Sequence, residues 1–256
     1  LIENGSKEII LLGQNVNAYN SNGNKLSDLL YALNEIEGLK RIRYTTSHPK
    51  DMSDDLIEAH GKCKKLMPLL HLPIQSGSNK VLRNMNRGHS IEEYLTIIDK
   101  LKNQNPNIKF SSDFIIAYPE ETKNDFKKTL LIMNQIGFIN SYSFIYSARP
   151  GTPAANMKKI DDVEAKKRLK EFQDLADFKK KEYRKNLLNS KTKVLFENKL
   201  QHGNKYFGRD EYQNSVIATS DKDLTGKIEI VNITQFNHNT LFGEIISNHK
   251  TGQHAA

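Results

Sequence analysis

The stretch HLPIQSGSNKVLRNMNR, residues 71 to 87, decides how this chain folds. It begins as an apolar, strand-like run, passes through the polar elbow Gln75-Ser76-Gly77-Ser78, and continues as a helix-like segment with three cations. One interpretation of the elbow is a simple turn that caps the following helix. The other is a small-molecule site at the carboxyl end of a strand in a parallel sheet, where ligands collect in such folds.

Similar apolar runs recur through the first part of the chain, about thirty residues apart. They are EIILL (8 to 12), RIRYT (41 to 45), PLLHLPI (68 to 74), IKFSSDFIIAY (108 to 118) and SYSFIY (141 to 146). Amphipathic helix patterns lie between them, with capping-box spacing at Ser90 and Glu93, a capping residue at Thr122 and a terminating Gly137. Strands and helices alternating at this spacing predict βαβ units and a parallel sheet, either open or closed into a barrel.

The pattern changes after the loop SARPGTPAANM, residues 147 to 157. Residues 161 to 188 show one long, charged helix pattern, and from Thr192 onward short strand patterns alternate with turn signals. These strands predict a small antiparallel β-barrel of about 55 to 60 residues. The predicted boundaries are 1–157 for the α/β domain, 158–190 for a basic linker helix and 191–248 for the β domain.

The composition restricts the function classes open to this chain. Its 256 residues contain one cysteine, Cys63, which excludes an internal disulfide framework and any metal site built from several of its own cysteines. No apolar run reaches the ~18 residues of a transmembrane helix. The N-terminus, which is neither a signal peptide nor a methionine, suggests a fragment. The net charge of +8 favours a polyanionic partner such as nucleic acid, and the alternative is a coding bias toward Lys, Asn and Ile.

Polar and turn-forming residues occur at the ends of all five predicted strands. In chain order they are Gln14, Asn15 and Asn17; Ser47 and His48; Gln75, Ser76 and Ser78; Asp113, inside the fourth strand; and Arg149. The carboxyl ends of parallel strands share one rim, so these amides, hydroxyls and cation suit a ligand with ribose hydroxyls, an amino-acid carboxylate and a purine edge.

Each of these residues also has a structural alternative. The elbow can cap a helix, and His48 before a proline can be an ordinary loop histidine. Asp113 can be a structural carboxylate, and Arg149 can pair with a nearby acid. The sequence contains no HExxH, GxSxG or cysteine cluster, so the residues alone leave the reaction open.

Several ordered motifs make the chain similar to a known family. They are EIILLGQNVNAY, RIRYTTSHPKDMSDDLIEAH, LMPLLHLPIQSGSNKVLRNMNR, SSDFIIAYPEET and SFIYSARPGTPAANM. In this order they resemble the radical SAM methylthiotransferases, and GQNVNAY with TTSHPKD resembles the branch that acts on N6-dimethylallyladenosine in tRNA. The tail, from VLFENK to LFGEII, resembles the TRAM domain, a small RNA-binding barrel of those enzymes. The resemblance extends from about Lys7 to Ile246.

This resemblance implies a fold and an activity. The fold is a partial (βα) radical SAM barrel that lacks its first strand, followed by a small antiparallel TRAM barrel. The activity is transfer of a methylthio group to C2 of N6-dimethylallyladenosine next to the anticodon, by radical chemistry with S-adenosyl-L-methionine. The family holds two 4Fe–4S clusters on cysteines that this sequence lacks, so we expect a fragment that is inactive by itself.

The resemblance also implies ligand and partner contacts. The residues expected to bind S-adenosyl-L-methionine are Gln14, Asn15, Ser47, His48, Gln75, Ser76, Asp113 and Arg149. Tyr206, Arg209 and Tyr212 are expected to contact RNA, and the alternative is that the aromatic residues form barrel core. The implied partners are a tRNA anticodon stem-loop and an electron donor such as a flavodoxin or ferredoxin, for a monomeric cytoplasmic enzyme without membrane contact.

The chain departs from the family at one turn. Where the family usually has Gly-Phe-Pro-Gly-Glu-Thr, this chain has Ala117-Tyr118-Pro119-Glu120-Glu121-Thr122. If the backbone there needs a positive φ or approaches the cofactor closely, Ala117 and Glu120 would crowd it.

Two other functions remain open at this stage. One is a sister methylthiotransferase that acts on threonylcarbamoyladenosine in tRNA or on a ribosomal protein. The other is a non-catalytic RNA-binding relic that has lost its cluster loop.

Overall fold

The computed structural model describes residues 1–246, which form two compact units divided between Lys181 and Glu182. Positions 247 and 248 of the predicted β domain lie outside the described residues. No helix formed by residues 1–246 combines the length and the apolar character needed to cross a membrane.

The first unit, Leu1–Lys181, contains seven strands, five of which run in parallel. Its strands are β1 (Glu8–Leu11), β2 (Asn20–Ser21), β3 (Asn24–Lys25), β4 (Arg41–Tyr44), β5 (Leu69–His71), β6 (Lys109–Ile116) and β7 (Asn140–Ile145). β1 pairs with β4, and β6 pairs with both β5 and β7, all in parallel. A parallel bridge between Ile42 and Leu66, just before β5, joins the two groups. The five predicted strands are confirmed; the antiparallel hairpin of β2 and β3 was not predicted, because each of its strands has only two residues.

Helices connect these strands. They are α1 (Leu26–Glu35), α2 (Asp54–Lys62), α3 (Asn79–Asn84), α4 (Ile91–Gln104), α5 (Lys123–Ile136) and α6 (Asp162–Asn186), within which the division between the units falls. Ser90 and Glu93 form the predicted capping box of α4, and Thr122 caps α5. Gly137 ends α5 with a left-handed φ of 72°. These local signals were readable in the sequence because a cap needs only residues within one turn of the helix end.

One face of the parallel sheet is buried in the core of the first unit. Ile42 and Phe114 are fully buried there, and Phe172 of α6 packs with its ring centroid 4.6 Å from that of Phe114. Successive side chains of a strand point to opposite faces. Arg43, next to Ile42, therefore lies on the other face, where its Nε donates to Glu8 at 3.1 Å. That second face is polar.

The second unit is a closed barrel of five strands. They are β8 (Lys191–Lys199), β9 (Lys205–Asp210), β10 (Ser215–Thr219), β11 (Ile228–Phe236) and β12 (Thr240–Ile245), in the ring order β10-β12-β11-β8-β9. Neighbouring strands are antiparallel except for β10 and β12, which are parallel. A ring with an odd number of strands cannot alternate direction throughout. The prediction of an antiparallel barrel is therefore wrong at this one seam.

Two glycines allow the barrel to close tightly. Gly208 lies opposite Phe196 beside a bulge in β8, and Gly243 lies opposite Ile233 beside a bulge in β11. A Cβ at Gly208 would lie 2.4 Å from a carbonyl oxygen of β8, and one at Gly243 would lie 2.3 Å from a carbonyl oxygen of β11. Bulges increase the local bend and twist, so the strands approach each other where only glycine fits.

Candidate functional site

A cavity of about 740 Å³ opens at the carboxyl ends of β5, β6 and β7. Its walls come from the elbow after β5, from residues 84–87 after α3, from β6, and from the end of β7 and the loop that follows. It brings together three of the predicted ligand residues, Gln75, Asp113 and Arg149. Both the position, at the carboxyl rim of a parallel sheet, and the volume are typical of small-molecule sites.

The elbow after β5 is both a turn and a wall of this cavity. Gln75 lines the cavity with a left-handed φ of 73°, and its amide donates to the carbonyl oxygen of Asp113 at 3.0 Å. Ser76 is fully buried away from the cavity, with its hydroxyl 3.4 Å from that of Thr129 in α5. A Cβ at Gly77 would lie 2.5 Å from a carbonyl oxygen of α5, so the elbow packs directly on that helix. Residues with strained backbone often lie at ligand sites, which suits the position of Gln75 in the cavity wall. The hydroxyl of Ser76, by contrast, lies next to Thr129 in the core and does not line the cavity.

The cavity also contains a guanidinium that the sequence analysis did not select. Arg87 lines the wall after α3, and its Nε is buried with no hydrogen-bond partner. Burial lowers the pKa of Arg87, and the carboxylate of Asp113 acts in the opposite direction. In the sequence Arg87 looked like any cation of a solvated helix, because nothing local indicates that it lines a cavity.

A second unsatisfied polar atom belongs to Tyr146, which lines the cavity directly after β7. The hydroxyl of Tyr146 is buried with no hydrogen-bond partner, and its ring packs edge-on against Tyr118 at 5.0 Å between centroids. Buried polar atoms in folded proteins are nearly always paired. The unpaired atoms of Arg87 and Tyr146 therefore suit a ligand that has an anionic group and a hydrogen-bonding edge.

Asp113 has a protein partner as well as a place in the cavity wall. Its carboxylate lies 3.5 Å from Nε2 of His71, and Nδ1 of His71 lies 3.0 Å from the hydroxyl of Ser111. About a third of the Asp113 side chain is exposed, since its relative accessibility is 32%. The carboxylate is thus oriented by His71 while an oxygen remains available to a ligand hydroxyl.

The remaining predicted ligand residues lie on the loops after β1 and β4 and do not line this cavity. Gln14 is exposed, whereas the Asn15 amide donates to Asp51 at 2.6 Å. Asn17 and His48 exchange two hydrogen bonds of 2.9 Å between the Asn17 amide group and the His48 backbone. These bonds fasten the two loops together.

Two groups on the loop after β4 still have ligand potential. The Ser47 hydroxyl is buried with no hydrogen-bond partner. Burial, together with the positive charge of Arg87 and the neighbouring ring of His89, lowers the pKa of His48 to about 4. His48 is therefore neutral at physiological pH, and its Nδ1 accepts from the Lys50 amide at 3.1 Å.

The turn that departs from the family has the strained geometry that the sequence implied. Ala117 has a φ of 57° and Glu120 a φ of 61°, both in the left-handed region that favours glycine. Ala117 donates its amide to the buried carboxylate of Glu121 at 3.0 Å. Neither Ala117 nor Glu120 lines the cavity, although Tyr118 between them does.

The residues present do not fit an iron–sulfur cluster. Within residues 1–246 no group of three or more His, Cys, Asp or Glu side chains could hold a metal ion. Cys63, the single cysteine of the sequence, is buried in the core directly after α2.

The three predicted RNA contacts separate in the second unit. Tyr206 is only 3% exposed and belongs to the barrel core, which is the alternative that the sequence left open. Arg209 is exposed, and its Nη1 donates to both carboxylate oxygens of Glu197, at 2.9 and 3.1 Å. Tyr212 is half-buried in the loop after β9. A buried ring offers no face to a base, so Tyr206 is corrected to a core residue.

Comparison with known proteins gives one family. The model of the radical SAM superfamily matches residues 1–132, which is just over half of the chain. The chain is 52% identical over 254 residues to a tRNA-2-methylthio-N(6)-dimethylallyladenosine synthase of Pelagibacter ubique (strain HTCC1062), and 44% identical over 250 residues to one of Ruegeria sp. (strain TM1040). The matches cover 98% and 96% of this chain, and the chain spans 57% of the length of each relative.

Among solved structures, coproporphyrinogen III oxidase from Escherichia coli, a radical SAM enzyme, is similar in fold. The TM-score is 0.52 at 12% sequence identity, and the match covers 80% of this chain and 54% of that one. At this identity the likeness concerns the fold alone. With the family match over residues 1–132 and a cavity at the carboxyl rim of parallel strands, the chain belongs to the radical SAM superfamily.

Proposed function

We propose that this chain belongs to a tRNA methylthiotransferase that adds a methylthio group to C2 of N6-dimethylallyladenosine next to the anticodon. The observation that carries the proposal is the name shared by the two relatives at 52% and 44% identity. The cavity lined by Gln75, Arg87 and Asp113 supports it, because ligands of α/β folds bind at the carboxyl ends of the parallel strands.

S-adenosyl-L-methionine is the ligand that we assign to the cavity. The volume of about 740 Å³ suffices for it, and the unpaired atoms of Arg87 and Tyr146 match a ligand with a carboxylate and polar edges. Arg87 and Arg149 would hold the carboxylate, and Gln75 with Asp113 would hold the ribose hydroxyls. When bound, this cofactor supplies the radical and methyl-transfer chemistry, and the protein orients it and excludes water.

The iron–sulfur part of the proposal lies outside these residues. The resemblance implies two 4Fe–4S clusters, and a sequence with one cysteine cannot ligate them. We therefore propose that the 256 residues alone are catalytically inert and that cysteines from elsewhere in the protein complete the centre.

The domain assignment follows the same proposal. Residues 1–157 would be strands two to six of a radical SAM barrel, 158–190 a basic linker helix, and 191–248 a TRAM domain. The linker helix with its flanks, residues 158 to 193, has thirteen Lys and Arg against seven Asp and Glu, which suits an RNA backbone. The proposed partners are the tRNA anticodon stem-loop and a flavodoxin- or ferredoxin-like electron donor, with a monomeric enzyme in the cytoplasm.

The activity is tested with the protein produced from its complete reading frame and reconstituted with iron and sulfide. Anticodon stem-loops bearing dimethylallyladenosine or threonylcarbamoyladenosine are incubated with it, and the nucleosides are analysed by mass spectrometry. Methylthiolation of the dimethylallylated stem-loop alone supports the proposal. Modification of the threonylcarbamoylated stem-loop alone would assign the sister activity. If the complete reading frame encodes no further cysteines and neither stem-loop is modified, the result would favour a non-catalytic RNA-binding relic.

The cofactor assignment is tested separately on the chain itself. Arg87→Met is expected to weaken binding of S-adenosyl-L-methionine at least tenfold in calorimetry, since a charge-assisted hydrogen bond contributes ~1.5–3 kcal/mol. Arg83→Met is the matched control, because Arg83 is an exposed residue of α3 that does not line the cavity. Equal affinities of the two variants would reject this cavity as the cofactor site.

A further inference from the structure

A row of apolar side chains crosses the outside of the barrel in the second unit. Phe207 of β9 pairs with Ile217 of β10, which in turn pairs with Phe242 of β12. Cross-strand partners share a face of the sheet, so the three side chains are immediate neighbours. All three are half-buried, whereas their sequence neighbours Tyr206, Val216 and Leu241 fill the barrel core. The row is therefore on the outer face.

Polar amides continue this row at both ends. Asn198 of β8 pairs with Phe207, and Gln235 of β11 pairs with Phe242. Both amide residues are exposed, and each lies directly after the bulge of its strand. An aromatic surface bounded by amides provides ring faces for stacking and donors and acceptors for the edges of a flat heterocycle.

A guanidinium is held over one end of the row. The Arg209 guanidinium carbon lies 5.4 Å from the centroid of the Phe207 ring, and Nη1 of Arg209 donates to both carboxylate oxygens of Glu197, which holds the guanidinium near this position. Lys205 and Arg209 alternate with Phe207 along β9, so their side chains leave the same outer face. Arginine planes and aromatic rings are the surfaces on which nucleobases stack, and the two cations complement phosphates.

The strand order places this row on a known kind of binding face. β8, β9 and β10 are consecutive antiparallel neighbours, and β11 returns beside β8, which is a Greek key. A five-stranded Greek-key barrel of this type, the OB-fold, binds oligonucleotides on the face of its second and third strands. Here those strands are β9 and β10, which carry Phe207 and Ile217.

We propose that Phe207, Ile217 and Phe242, with Arg209 held over Phe207, form a stacking platform for the bases of single-stranded RNA. The proposal rests on the proposed function, in which the partner is the single-stranded anticodon loop of a tRNA. It differs from the sequence-based expectation by one strand position: the stacking ring of β9 is Phe207, and its neighbour Tyr206 is core. Bases would lie across the row, with phosphates toward Lys205.

The test uses the 256-residue chain and a short fluorescein-labelled oligoadenylate. Phe207→Ala and Phe242→Ala are each expected to weaken binding about 5- to 150-fold in fluorescence anisotropy, the range measured for loss of one stacked base. Leu131→Ala is the control, since Leu131 is an exposed apolar residue of α5, outside the basic linker helix proposed to contact the RNA backbone. Circular dichroism verifies that each variant remains folded.

A tryptophan variant separates stacking from a purely structural effect. The sequence contains no tryptophan, so Phe207→Trp introduces a single reporter and keeps an aromatic ring at the site. Its emission should be quenched by oligoadenylate and unchanged by heparin, which supplies the charge without bases. Equal quenching by heparin, or unweakened binding by both alanine variants, would overturn the platform even if the chain binds RNA. Failure of the wild-type chain to bind RNA at all would refute the RNA partner of the proposed function and, with it, the platform.

Discussion

Replacement of Arg168 by methionine is expected to destabilise the first unit by about 3 to 4 kcal/mol near neutral pH. Arg168 of α6 donates to the carbonyl oxygen of Glu121 at 2.9 Å and to its carboxylate at 3.0 Å. The Glu121 side chain is completely buried, and its second oxygen, Oε1, already has no partner. Without the guanidinium, that carboxylate would be an unpaired buried charge.

The loss of stability caused by the unpaired Glu121 carboxylate has an upper limit that depends on pH. Burial raises the pKa of Glu121 above its ordinary value of 4.5, and Arg168 opposes this effect. In Arg168→Met the folded protein can neutralise Glu121 by taking up a proton, which costs about 3.4 kcal/mol at pH ~7 and about 0.7 kcal/mol at pH ~5. A raised pKa favours the protonated acid in the fold, so the deficit of the variant grows as the pH rises above 4.5. The lost hydrogen bond to the Glu121 carbonyl adds about 1 kcal/mol at either pH.

The buried thiol of Cys63 provides the assay. Cys63 is the only cysteine, and it is 3% exposed within the first unit, so its reaction rate with an aromatic disulfide reports opening of that unit. Lys170→Met, which removes an exposed cation of the same helix paired with Asp174, is the control and should change stability by at most ~0.5 kcal/mol. A deficit for Arg168→Met that equals the control, or that is the same at both pH values, would refute the reasoning.

Three further predictions concern backbone strain, titration and strand packing. Glu120 is exposed and has a φ of 61°, so Glu120→Gly should stabilise the first unit by about 0.5–1 kcal/mol in urea unfolding. Glu120→Ala should leave the stability unchanged, and equal stabilities of the two variants would contradict this prediction. Burial lowers the pKa of His60 in the folded protein to about 4. As the pH falls, the unfolded chain therefore protonates His60 at a higher pH than the folded protein does, and the free energy of unfolding should fall by about 3 kcal/mol between pH ~6.5 and ~4. His60→Gln should show a shallower fall over that window, and parallel pH profiles would argue against it. Gly208→Ala should destabilise the barrel by at least ~2 kcal/mol in thermal unfolding, because its Cβ would meet a backbone oxygen at 2.4 Å, and an unchanged melting temperature would disprove that clash.

The sequence predicted those features that depend on neighbouring residues. The apolar runs gave the five parallel strands, and the caps of α4 and α5 gave helix ends that the structure confirms. The positive φ at Ala117 and Glu120 was also foreseeable, because glycine is usual there in the family that the motifs resemble. Motif order then indicated the superfamily, which the family match over residues 1–132 confirms.

Features that depend on which elements meet in space could not be predicted in the same way. Of the rim residues, Gln75, Asp113 and Arg149 share the cavity, whereas the loops after β1 and β4 bond to each other, because loop paths decide which strand ends converge. Arg87 lines the cavity because the segment after α3 forms one of its walls, which no local sequence pattern indicates.

The sequence by itself determined the strand–helix alternation and the family, because local periodicity predicts the first and ordered motifs indicate the second. Tertiary structure decided the inward direction of Tyr206, the outward direction of Phe207 and the parallel seam between β10 and β12. The physical reason is the two-residue period of a strand: a pattern with aromatic residues at consecutive positions fits either face, and only closure of the barrel selects which ring is buried.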